Sequence, residues 1–346
     1  MSPKIFLTGG TGYIGGTTLD TIATAHPEYE VTVMLRKTPE TFTTRYPNIK
    51  VIKGDYDSFD ILADAAEKVD VVVHHGDSDH EPSINALIAG LLRRPTPGFL
   101  LHLSGTGICS DYHDESQLGR LNPKVWSDIS SLPEIRALPN NALHRNTEKI
   151  PHATAAEHGD KIKIAIMCPP DIYGQGRGTG KTRSVYIPAF IAESKTLGGG
   201  EIKDARVFYV NEGTNTKSWV HIDDLAAIFL KVIEAAANGG GGAEWNDKGY
   251  YFTGTQEYSH LDIATATGKI LAEHNIISNP EPLQVSIDEI DKMLSWYPIP
   301  HLSRYLFASN SRTKAERVTK LFGYNAKGPG LLESLEADVL DAVKSM

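Results

Sequence analysis

A chain of 346 residues, 40% hydrophobic and 22% charged, is long enough to bury a sizeable core without disulfide or metal staples. Its formal net charge of −9 argues against nucleic acid or an acidic membrane surface as partner. No apolar run approaches bilayer-spanning length, and Cys109 and Cys168 form no metal or redox spacing.

The first apolar run, residues 5–7, reads as a buried strand. It enters a glycine cluster, Gly9, Gly12 and Gly15, and then a helical pattern carrying Ile14, Leu19 and Ile22 on one face. Strand, glycine turn and helix in this order make the first half of a dinucleotide-binding βαβ unit. Gly9 permits the tight turn, Gly12 lets backbone N–H groups approach a pyrophosphate, and Gly15 allows close helix–strand packing, with the positive end of the helix dipole facing the phosphates.

The second strand, 31–35, ends in Arg36 and Lys37 rather than in a carboxylate. A carboxylate there would bond a ribose 2′-hydroxyl, whereas cations attract a 2′-phosphate, so this ending favours NADP(H) over NAD(H). The third strand, 49–53, closes at Gly54-Asp55-Tyr56-Asp57, where Asp55 can accept from an adenine amino group. Asp57 is placed to start the helix over 59–67. The fourth strand, 69–73, empties into His74-His75-Gly76-Asp77-Ser78-Asp79-His80-Glu81. Dense as these potential ligands are, a metal site requires converging geometry, and polar lining of a cofactor cleft is the simpler reading, with no metal.

A helix over 83–94 and a strand over 99–103 lead to Ser104, whose hydroxyl at a strand end can polarise a carbonyl in the cleft. Residues 108–140 read as an irregular cover over the substrate, bringing Tyr112, His113 and Trp126. In the helix expected over 142–158, Arg145 and Lys149 share one face and His144 and Glu148 another. A strand over 161–167 ends at Cys168-Pro169-Pro170-Asp171-Ile172-Tyr173-Gly174. The following Gln175-Gly-Arg-Gly-Thr-Gly-Lys-Thr182 is not a P-loop, because Gln175 stands where a P-loop has glycine. It reads as a flexible loop whose Arg177, Lys181 and Arg183 can meet an anion. Later helices are expected over 184–197, 224–237 (capped by Asp223), 260–274, 313–322 and 330–343, with strands over 206–210 and 250–253.

The whole-chain pattern resembles the extended short-chain dehydrogenase/reductases, also called the epimerase/dehydratase family. The resemblance rests on Gly9-Gly-Thr-Gly-Tyr-Ile-Gly15, Asp55, Ser104, Lys149, Pro170-Asp-Ile-Tyr-Gly174 and Val220-His-Ile-Asp-Asp224. It implies an α/β fold, a Rossmann doubly wound parallel sheet with a smaller, interleaved C-terminal substrate lobe. The dinucleotide-binding part would span 1–174, with 218–254 returning to it, and the lobe 175–217 and 255–346. It also implies, as often in the family, a homodimer, and a bound nicotinamide dinucleotide contacted by Gly9, Thr11, Gly12, Tyr13, Ile14, Gly15, Arg36, Lys37, Asp55, Tyr56, His74, Lys149, Pro169 and Ile172. A cytoplasmic location fits an N-terminus that runs straight into a strand.

One departure bears on catalysis. The family's catalytic tyrosine stands four residues before its lysine. With Lys149 as that lysine, the position is Arg145, and a guanidinium cannot pass a proton to an alkoxide. Three routes stay open. His144, Tyr112, Tyr173 or a water on Lys149 supplies the proton; Arg145 and Lys149 stabilise a substrate oxyanion or carboxylate electrostatically; or redox chemistry is lost, leaving a redox-neutral isomerase or lyase, or a dinucleotide sensor. The leading expectation is an NADP(H)-binding oxidoreductase acting on a carbonyl or alcohol of a small, anionic molecule, with Ser104, Lys149, Arg145, His144 and Tyr112 as its catalytic candidates.

Overall fold

A computed structural model describes residues 2–346. Strands β1 (Lys4–Thr8), β2 (Glu30–Leu35), β3 (Lys50–Lys53), β4 (Val71–His74) and β5 (Gly98–Leu103) join two later strands, Ile162–Cys168 and Tyr250–Phe252, in one seven-stranded sheet. Its order is Tyr250–Phe252, Ile162–Cys168, β5, β4, β1, β2, β3, and every pairing is parallel. In the centre, Leu7 lies between Val33 and Val73. Such strands are buried on both faces, which is why β4 and β5 are almost wholly apolar. The chain leaves β1 toward β2 on one side and reaches β4 on the other. The crevice at their carboxyl ends is thus the switch point where α/β sheets bind ligands.

Helix α1 (Tyr13–Ala25) and the Ile222–Ala237 helix pack together on one face of the sheet, and the Phe59–Glu67 and Glu81–Leu92 helices on the other. A further core surrounds the fully buried Trp219, Phe190, Phe208 and Phe307. There the Tyr186–Leu197, His260–Glu273 and Leu331–Lys344 helices enclose a three-stranded sheet, Gln256–Ser259, Thr216–His221 and Asp171–Tyr173.

Local chemistry moved several boundaries. Ser58, not Asp57, precedes the Phe59–Glu67 helix. The Ile222–Ala237 helix is capped by His221, whose ring nitrogen accepts from the Asp223 N–H, so Asp223 sits in the first turn and not at the cap. The irregular stretch 108–140 contains a short helix, Leu132–Arg136, and a two-residue strand, Trp126–Ser127, paired with Thr313–Lys314. Residues 313–314 therefore belong to a strand, and the helix beyond them begins at Glu316. Most consequential, the helix expected from 142 begins at Arg145, because His144 takes the left-handed conformation with φ 63° and ends any continuity with the preceding turn.

Candidate active site

The glycine turn after β1 is shaped by close backbone approach. Gly9 has φ 74°, and a Cβ on it would lie 2.0 Å from the His75 carbonyl oxygen. Only glycine fits there. Gly12 stands at the N-cap of helix α1 and supplies no side-chain cap, so the first-turn N–H groups face the crevice undressed. Beside them lies a cavity of ≈270 Å³ whose lining includes Gly9, Thr11, Gly12, Arg36, Asp55 and Tyr56. The Asp55 carboxyl accepts from Ser58 at 2.6 Å, and that bond, with Arg36 nearby, holds its pKa below the usual carboxylate range. Donors from a helix N-terminus and a carboxylate at the far end match the pyrophosphate and adenine of a nicotinamide dinucleotide, so the residues present fit that group. Lys37 is not part of this lining.

The loop 175–182 is clamped onto the glycine turn rather than free. Lys181 N–H donates to the Thr11 carbonyl at 2.9 Å, and a Cβ on Gly180 would meet that same carbonyl oxygen at 2.1 Å. Arg177 is spent on Asp20, Thr21 and Asp223, and Arg183 on Asp341. Lys181 lines both the dinucleotide cavity and its continuation, a cleft of ≈460 Å³.

This cleft brings together Gly12, Tyr13, Ile14, Gly15, Ser104, His144, Pro169 and Ile172, all singled out from the sequence. His144 is its best-armed member. Nδ1 lies 2.9 Å from Asp79 Oδ1 and 3.3 Å from Ser78 Oγ. The loop carrying both is pinned to the same helix by Thr147 Oγ1 donating to the Ser78 carbonyl at 2.5 Å and Asn146 donating to the Asp79 carbonyl at 2.9 Å. On the other side of the ring, Nε2 is 2.9 Å from where a Cβ on Gly105 would stand. Among the described residues Nε2 has no hydrogen-bond partner. Nδ1 donating to a carboxylate leaves Nε2 with a lone pair directed at the cleft, an acid–base arrangement.

The remaining catalytic candidates lie elsewhere. Ser104 reaches the cleft floor, but its hydroxyl donates to Glu148 Oε1 at 2.5 Å, an oxygen also met by the Tyr250 hydroxyl at 2.9 Å. Glu148 is fully buried, and burial raises its pKa; the second oxygen has no partner. Arg145 and Lys149 do not face the cleft, which corrects the role read for them. Arg145 turns outward to the Leu138 carbonyl at 3.1 Å and the Arg136 carbonyl at 2.5 Å, closing the C-terminus of the Leu132–Arg136 helix. Lys149 is exposed on the side toward the Glu81–Leu92 helix and donates to Asn140 Oδ1 at 2.9 Å. The reason is geometric: one residue along a helix turns the side chain by about 100°. Glu148 is buried on the helix's inner side, and His144, the left-handed N-cap just before the helix, lines the cleft.

Tyr112 is buried, packed on His113 and Tyr305 behind the cleft wall, and Tyr173 bonds the Pro329 carbonyl. His74 also corrects an expectation. It is buried beneath the crevice between Thr8 at 2.7 Å and Ser83 at 3.3 Å, stacked on His102. Its neighbour His75 lines both cavities, with burial holding its pKa down at about 3. The acidic, histidine-rich stretch 74–81 is thus divided among separate tasks: His74 in the core, His75 in the cleft, Asp79 on His144 and His80 as a helix cap. Sequence reasoning did not single out Asp79, His75 or Glu148 as site residues. The shared face of His144 and Glu148 was the available signal.

Comparisons with known proteins agree with this fold. The model of the NAD dependent epimerase/dehydratase family matches residues 5–88 and 143–246, more than half of the chain. The oxidase ucsJ of an Acremonium species is 29% identical over 98% of this chain and 97% of its own. Among solved structures, dTDP-glucose 4,6-dehydratase from Bacillus anthracis, in complex with NAD, superposes with a TM-score of 0.65 at 14% identity, covering 99% of this chain and 97% of that one. UDP-glucose 4-epimerase from Thermotoga maritima, with UDP-glucose, gives 0.63 at 16% identity, covering 99% of each. The seven-stranded parallel sheet, the glycine turn at its switch point and the family match together establish that the chain belongs to the NAD-dependent epimerase/dehydratase family.

Proposed function

We propose that the protein is an NADP(H)-linked oxidoreductase acting on a carbonyl or alcohol, with His144 as its acid–base group. The observation that carries this reading is the pairing of His144 Nδ1 with Asp79 while Nε2 points into the cleft beside Gly105. The first-turn N–H groups of α1 and Lys181 would hold the pyrophosphate, Arg36 the 2′-phosphate and Asp55 the adenine. A bound nicotinamide dinucleotide supplies or takes up the hydride. In oxidation, Nε2 accepts the hydroxyl proton of the substrate. In reduction, the imidazolium returns it to the carbonyl oxygen, and Asp79 stabilises the charge on the ring in both directions. The Ser104 hydroxyl donates its hydrogen bond to Glu148, so toward the cleft it offers lone pairs and accepts a hydrogen bond rather than polarising a carbonyl. On this reading residues 175–217 and 255–346 form the substrate lobe.

The test is kinetic. His144→Ala should lower kcat by roughly 10²–10⁴ with dinucleotide affinity retained, the span one positioned acid–base group contributes. Asp79→Asn should lower kcat less and move the pH profile. Full activity in His144→Ala would refute the assignment.

A further inference from the structure

Beyond the nicotinamide end, the cleft changes character. Its outer half is walled by Tyr186, Leu302, Tyr305 and Leu306, with Val185 and Tyr297 at the mouth. Two facts about that mouth are costly to the free protein. Val185 is 68% exposed, Tyr297 41% and the adjoining Trp296 76%. Val185 also stands at the start of the Tyr186–Leu197 helix, where it makes no side-chain cap and a polar residue would serve the helix better. The charges here are neutralised. Arg183 is paired with Asp341, and Asp171 with the buried Lys217 at 3.0 Å, whose ammonium lies 3.9 Å from the Tyr305 ring centroid. A nucleoside diphosphate needs open cations; of the two lysine and arginine side chains lining the cleft, Arg183 is paired with Asp341, and Lys181 is shared with the dinucleotide cavity, where the cofactor would use it. The outer half presents apolar wall and an apolar lip.

We infer that the substrate is an apolar alcohol or carbonyl compound, aryl or alkyl in its bulk, that enters between Val185 and Tyr297 and buries its hydrocarbon against Tyr186, Tyr305 and Leu306. The inference rests on the oxidoreductase reading for the reacting group, but the binding of the hydrocarbon does not require turnover.

The test uses isothermal titration of NADP⁺-saturated protein with acetophenone, propiophenone and butyrophenone, and separately with UDP-glucose. Affinity should rise about three- to fourfold per added methylene, with a negative heat-capacity change, and UDP-glucose should not compete. Val185→Asp should weaken the ketones at least fivefold and leave NADP⁺ binding unchanged. It should also keep or raise Tm, because a carboxylate at a helix N-terminus is favourable. Affinity flat with chain length, tighter binding of UDP-glucose, or unchanged ketone binding in Val185→Asp overturns the inference. Ketone binding without hydride transfer to any member of the class when the protein is supplied instead with NADPH overturns the oxidoreductase reading and leaves the substrate-class inference standing. Turnover of a polar carbonyl without ketone binding does the reverse.

Discussion

Ser104 and Glu148 share a proton-donating contact of 2.5 Å beneath the cleft floor, and the carboxyl that receives it is sealed from solvent. Burial raises the Glu148 pKa, so the folded protein holds the carboxyl's own proton to higher pH than the unfolded chain does. The stability this contributes is complete below the free carboxyl's ordinary value and is lost as pH rises through the folded value. Glu148→Gln keeps an acceptor for Ser104 and Tyr250 but buries an unpaired amide, at about 1–3 kcal/mol. The variant should therefore be less stable than wild type at pH 4 and should gain on it steadily toward pH 8 in urea titrations. A constant difference across that range would contradict a buried, titrating Glu148.

The buried histidines act with the opposite sign. Burial pushes His102 well below the ordinary histidine value and His74 down to about 4. Neither ring nitrogen of His102 has a partner. The unfolded chain takes up these protons as pH falls through about 6.5, whereas the folded protein resists them. Stability is thus full above that value and erodes in acid. His102→Leu removes one such group and an unpaired polar ring. Its stability should lie within about 1 kcal/mol of wild type at pH 8 and fall less steeply between pH 7 and 5. An identical slope in the two proteins would show that His102 does not contribute.

Arg36 is the cation of its pair that lines the dinucleotide cavity. Losing a charge-assisted bond to phosphate costs about 1.5–3 kcal/mol. Arg36→Ala should then weaken NADPH by roughly 10- to 100-fold and leave NADH nearly unchanged, measured by quenching of protein fluorescence. Equal weakening of the two would remove the basis for phosphate recognition.

Arg145 and Lys149 separate a surface role from a catalytic one. Lys149→Ala should leave kcat unaltered and stability within about 0.5 kcal/mol. Arg145→Ala forfeits two carbonyl contacts at the end of the Leu132–Arg136 helix and should cost about 1–3 kcal/mol with kcat preserved. Loss of turnover in Lys149→Ala would return that residue to the mechanism.

The Rossmann architecture was legible because its signals are local. Continuous apolar runs mark strands buried on both faces, and glycine at 9, 12 and 15 has a steric reason that does not depend on distant residues. Arg36, Asp55 and Ser104 follow from the same logic, since each sits at the carboxyl end of a strand. The proposed acid–base pair was not legible in the same way. Asp79 and His144 are 65 residues apart in sequence and meet only through the folded loop. The choice between the two faces of the Arg145–His158 helix is made by how it packs in the folded chain. Its inward face, with Thr147, Glu148, Pro151 and Thr154 buried, lacks the apolar stripe that ordinarily marks a helix's inner side.

That left-handed His144 stands at the N-cap, outside the helix, so its own backbone and not the helical repeat aims its ring. Within the helix, packing sets which side is inward: Glu148 is buried and Lys149, about 100° further round, is exposed. A turn of that size about the helix axis would exchange the glutamate for the lysine at the crevice while every strand stays in place. One scaffold can thus offer either an acidic or a cationic surface through the rotation of a single helix.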